Sequence, residues 1–143
     1  MRRLRKFLHL SSSDRTLLIE ALIVILVLKL GLWLLPFRVL HTYSLKLSQV
    51  LMQPHGLEGH RIQSIVQSIE IVTWHIPGKA KCLARAMAVQ FMLRRRNHQT
   101  SLHIGVTKRT DSVLEAHAWL EYDGVIVIGG VPDFNRFKPL VIL

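Results

Sequence analysis

Hydrophobic residues recur at helical spacing through the first two thirds of the chain and alternate at strand spacing through the last third. Residues 17 to 37, LLIEALIVILVLKLGLWLLPF, form an almost continuous apolar run about long enough to span a bilayer. Glu20 and Lys29 interrupt it, and only ALIVILVL between them is uncharged. Nine positions at about 100° each set those two charges on opposite sides of a helix, so the segment is not a simple surface amphipath. Three readings stay open: a helix packed against the rest of the fold, a membrane-inserted or membrane-associated helix, and a signal or anchor. Ser13 or Asp14 is placed to cap its start, and Pro36 to end or kink it.

Phe37 to Gln53 reads as a second helix, followed by a loop at QPHGLEGH. Ile62, Ile65, Val66 and Ile69 then fall at spacings of three and four, and Pro77-Gly78 stops that helix. A further helix is expected from Cys82 to about Arg96, with Asn97 as a left-handed cap. Beyond it the period changes to two. Leu102, Ile104 and Val106 alternate with His103 and Gly105, LEAHAWLEY follows, and Asp123-Gly124 is a hairpin signal leading into VIVI. Helices first and then about three antiparallel strands make an α+β fold.

Composition adds two constraints. Nineteen Lys and Arg against nine Asp and Glu, a formal charge of +10 over 143 residues, favour an anionic partner: nucleic acid, acidic lipid or acidic protein. The charge gathers at Arg2, Arg3, Arg5 and Lys6 and again at Arg94, Arg95 and Arg96. No zinc-knuckle spacing, RNA-recognition signature or helix-turn-helix pattern accompanies it, so nucleic acid is not the expected partner. Arg94 to Arg96 read most simply as a solvated, basic helix end, and Trp74 and Trp119 as core residues. With a single cysteine no intramolecular disulfide forms, and a reducing cytoplasm is the expected compartment, with residues 17 to 37 as the candidate contact to a membrane surface.

That single cysteine, Cys82, stands at a helix start with Lys79, Lys81 and Arg85 nearby. It is either a small buried residue or a nucleophile, since helix N-termini and cations favour the thiolate. A nucleophilic thiol needs a base. His117, in EAHAWLE, lies mid-strand on one face with Trp119 and Glu121. It is the candidate base, against the alternative of a histidine packed on a tryptophan. No C-x-x-C or H-E-x-x-H spacing points to a metal, and Gly129-Gly130 is too short for a phosphate loop.

The order of these elements suits a papain-like or transglutaminase-like hydrolase. CLARAMAVQFMLRRRNHQTSLHIGVTK, then AHAWLEYDG and VIVIGG, resembles the lasso-peptide biosynthesis B protein, the microcin-processing family with a transglutaminase-like cysteine protease fold, over roughly residues 40 to 143. The division implied is a basic, apolar helical segment at 1–40 and a transglutaminase-like cysteine peptidase domain at 41–143. The resemblance implies a leader peptidase with Cys82 as nucleophile and His117 as base, requiring no cofactor. Its expected partners are the precursor peptide, a leader-recognition protein supplied in trans, and an ATP-dependent cyclase that closes the lasso ring.

The family pattern also has an aspartate that orients the histidine. A two-residue turn at Asp123-Gly124 pairs Tyr122 with Val125 and puts His117 opposite Gly130, where no acid stands. Asp133 is the candidate third member if the chain curls back through the glycines. Glu121 is ~13 Å along the strand, and Asp123 is a turn residue. A backbone carbonyl or an amide is the other means of orienting the ring. Two further readings follow: a non-catalytic, membrane-proximal scaffold, and a thiol enzyme that forms amide bonds.

Overall fold

The computed structural model describes residues 11–53, 62–78 and 82–143. Arg2, Arg3, Arg5 and Lys6, the loop expected at PHGLEGH, and Lys79 and Lys81 lie outside the described residues. Helix α1 is Ser12–Leu34, α2 Phe37–Val50, α3 Ile62–His75 and α4 Cys82–Arg94. The strands are β1 Ser101–Lys108, β2 Leu114–Tyr122, β3 Val125–Ile128 and β4 Lys138–Ile142, with a 3-10 turn at Phe134–Arg136 before the last. Ser11, rather than Ser13 or Asp14, caps α1, its hydroxyl accepting the Asp14 N–H at 3.1 Å. Pro36 separates α1 from α2 and serves as the N-cap of α2.

Helix α4 is the centre of the fold. Its small and flexible side chains, Ala84, Ala86, Met87, Ala88 and Met92, are buried on several sides, letting α1, α2, α3 and β2 all pack closely against it. Helix α1 contributes one stripe, Leu17, Ala21, Ile25 and Leu28, to the same core. The spacing of four, four and three is a helix face.

Tertiary contacts account for both charges that interrupt α1. The Glu20 carboxylate accepts from Arg95 Nη1 at 2.6 Å and from Arg96 Nη1 and Nη2 at 3.2 and 2.8 Å. Lys29 Nζ donates to the carbonyls of Pro77 and Gly78 at 2.8 and 2.6 Å, just after α3. Arg95 and Arg96 are therefore not a solvated helix end; they clamp α1 to the end of α4. Glu20→Gln leaves two largely buried guanidinium groups without a counter-charge. It is expected to lower unfolding stability by roughly 2–3 kcal/mol, at or just below the lower edge of what breaking a buried ion pair costs, as read from the urea midpoint.

The sheet is antiparallel in the order β3-β2-β1-β4. It has four strands where about three were expected, because KPLVI returns along the free edge of β1. Asp123 and Gly124 both take positive φ, 49° and 76°, as a tight hairpin turn requires. Tyr122 pairs with Val125, but the register then slips: Glu121 faces Ile126 and Leu120 faces Ile128. The extra residue on β3 shifts everything beyond it by one position. Trp119 is a core residue at 2% exposure, whereas Trp74 projects from α3 at 88%.

A second polar pair lies between α2 and α4, where the buried His41 donates through Nε2 to Gln90 Oε1 at 2.9 Å. Burial pushes the His41 pKa below its usual 6.5, the Gln90 bond pulls it partly back, and Arg94 pushes it down further. The folded state therefore binds this proton less readily than the unfolded chain. The stability it contributes is present above pH 6.5 and is lost as pH falls through the depressed folded value. Melting temperature is expected to drop as the pH falls below 6.5 toward the depressed folded value, and His41→Gln to make the drop shallower.

Candidate active site

Cys82 is the first residue of α4, half-buried and packed on the edge of the core. Its position follows from sequence: Pro77-Gly78 ends α3, and the alanine-rich run resumes the helix at the cysteine. The first turn of a helix carries backbone N–H groups with no intrahelical partner, so the thiol stands beside donors suited to negative charge. Arg85, one turn on, is directed to Glu70, 3.4 Å away.

Strand β2 is two-faced. Ala118 and Leu120 join the core shared with the helices, while His117 and Trp119 lie on the other face. There the His117 ring sits 5.3 Å from that of Phe137 and 6.4 Å from that of Trp119. Trp119 stacks on His103 at 5.3 Å, takes Phe134 edge-on at 4.6 Å and donates Nε1–H to Glu121 at 3.1 Å. Glu121 is thus bound to the tryptophan rather than to His117. The two phenylalanines come from the segment that crosses from β3 to β4.

His117 Nε2 bonds the Gly129 carbonyl oxygen at 2.5 Å. A carbonyl oxygen only accepts, so Nε2 carries the proton and Nδ1 of the neutral ring is the free base. The backbone carbonyl thus holds the place expected for an acid. Asp133 makes no hydrogen bond or ion pair with His117; it is exposed at the start of the 3-10 turn, its own carbonyl accepting from the Arg136 N–H at 3.2 Å. Among the described residues no group of three His, Cys, Asp or Glu side chains gathers as a metal site requires.

The structure therefore joins His117 to Gly129 and sets Cys82 at a helix start. No hydrogen bond links Cys82 to His117. Gly129 as the specific partner was beyond sequence reasoning, because a backbone carbonyl is offered by every residue and no motif marks the one that is used. The Phe134 and Phe137 cover had only a weak signal, two aromatics three apart in PDFNRF.

A family model for the transglutaminase-like superfamily matches residues 22–142. The chain belongs to the transglutaminase-like superfamily. Searches of curated proteins and of solved structures gave no match. The superfamily includes both cysteine peptidases and transglutaminases, two chemistries that share a thiol nucleophile. Helices followed by a small antiparallel sheet, with the thiol at a helix start and the histidine mid-strand, fit a transglutaminase-like domain.

Proposed function

We propose that this transglutaminase-like chain is a thiol peptidase that removes the leader from a ribosomally made precursor peptide in lasso-peptide maturation. The observation that carries the proposal is the fixed tautomer of His117. With Nε2–H held by the Gly129 carbonyl, Nδ1 is available to a thiol, in a superfamily chain whose single cysteine begins a helix. Proton transfer between the two requires substrate binding to bring together Cys82, at the edge of the helical core, and His117, on the far face of β2, since no hydrogen bond joins them in the free chain.

Nδ1 of His117 takes the Cys82 proton as sulfur attacks the scissile carbonyl. The oxyanion that forms is met by the free N–H groups at the start of α4. The tetrahedral species collapses, the C–N bond breaks, and His117 returns the proton to the departing amine of the core peptide. The leader remains as a thioester on Cys82. His117 then removes a proton from water, which attacks the thioester and restores the thiol. A separate recognition protein presents the leader, and an ATP-dependent cyclase receives the core.

The test is the mass of the products from a precursor peptide incubated with this chain and a competent recognition protein. Two fragments whose masses sum to the precursor plus one water are the expected result. A single product lighter by ammonia would assign the thiol to amide formation instead, and unchanged precursor would favour the scaffold.

A further inference from the structure

Helix α1 is apolar on both halves, and the core uses only one of them. The inward stripe is Leu17, Ala21, Ile25 and Leu28. Opposite it, Leu22, Ile23, Leu26, Val27, Leu30 and Trp33 are all exposed, Trp33 by 81%. From Leu22 to Trp33 the outward face runs for ~17 Å along the helix without a polar side chain, and Glu20 and Lys29 on its flanks are both engaged by the protein. The surface continues onto α2, where Tyr43, Leu47 and Val50 are exposed, with the exposed cation Lys46 beside them on the helix. An open apolar groove of about 610 Å³ joins the two helices. Monomeric proteins rarely leave so continuous an apolar surface in water.

We infer that this α1–α2 face docks the protein, lying flat, onto an anionic lipid bilayer. The charge balance distinguishes that occupant from a second copy, since dimerisation through this face would bring two chains of formal charge +10 together. In the sequence, Arg2, Arg3, Arg5 and Lys6 precede this apolar helix, and a basic flank beside an apolar helix is the composition of interfacial lipid-binding segments. Exposed Trp33 and Trp74 end α1 and α3, and tryptophan favours the headgroup level. Helix α1 is long and apolar enough to cross a bilayer. Its inward stripe is nevertheless committed to α3 and α4, and Glu20 is bound to two arginines, so a crossing would carry those polar elements into hydrocarbon. The flat orientation keeps every one of these contacts. It also sets the Cys82 end of the fold at the lipid surface, because Lys29 ties α1 to the segment just before that cysteine.

The experiment is flotation of the full chain with phosphatidylcholine vesicles containing about a quarter phosphatidylglycerol, beside vesicles of phosphatidylcholine alone. The wild type is expected to float with the anionic vesicles and at least about tenfold less with the neutral ones. Ile23→Glu/Val27→Glu is expected to reduce flotation by at least about tenfold with an unchanged melting temperature. Should that pair unfold the chain, Val27→Gln/Leu30→Gln makes the same test without added charge. Wild type that stays unbound to anionic vesicles overturns the inference, as does folded variant that floats equally well. A concentration-dependent doubling of mass that the variant abolishes would assign the face to a second copy. Resistance to alkaline extraction would place α1 across the bilayer and overturn the flat orientation.

Discussion

Gly129→Ala is expected to destabilise the protein by about 4 kcal/mol, a large share of the 5–15 kcal/mol that holds a typical domain folded. Gly129 has φ +87°, and a Cβ there would lie 2.5 Å from the Ala118 carbonyl oxygen and 2.9 Å from Trp119 Cα. Those are backbone atoms of β2 and cannot rotate away. Either β3 separates from β2 or residue 129 moves, and both displace the carbonyl that holds His117. Gly130→Ala is the control, since its Cβ would meet nothing nearer than Ile126 Cγ2 at 3.8 Å. Urea midpoints should show Gly130→Ala within about 0.5 kcal/mol of wild type. Equal midpoints for the two variants would show that the close packing at 129 is not a constraint.

His117→Ala is expected to lower the rate of leader release by about 10³, the middle of the range for losing a general base. Asp133→Ala should leave that rate within about twofold, because the carboxylate has no contact with the ring and the Gly129 carbonyl already fixes the tautomer. The comparison is made at saturating precursor with recognition protein present. An Asp133→Ala loss as large as that of His117→Ala would mean the acid swings in during turnover. His117 is half-buried between Phe137 and Trp119, so both variants are expected to remain folded.

Elements set by local chemistry were legible in the sequence. Asp123-Gly124 specifies its turn through positive φ, Asn97 takes the left-handed cap with φ 62°, and Pro77-Gly78 precedes a helix that begins at Cys82. Features set by distant contacts were not. Glu20 looked like an interruption in α1 because its partners lie 75 and 76 positions away. β4 was hidden because KPLVI has no alternation and all five residues are exposed. Trp74 breaks the expectation that tryptophan is core, and the only sequence hint was its place at the end of α3. At the site, the two reactive residue types and their elements were readable, but the Gly129 carbonyl that takes the His117 Nε2–H was not. A backbone carbonyl acting for an acid leaves no residue type to recognise.

The most direct test of a Cys82-centred peptidase is intact-mass analysis of precursor peptide after incubation with recognition protein and either wild type or Cys82→Ala. The account predicts free leader and core with wild type and intact precursor with the alanine variant, at matched folding. Equal cleavage by both, or none by either with a recognition protein known to be competent, would contradict it and leave the transglutaminase-like fold serving as a scaffold.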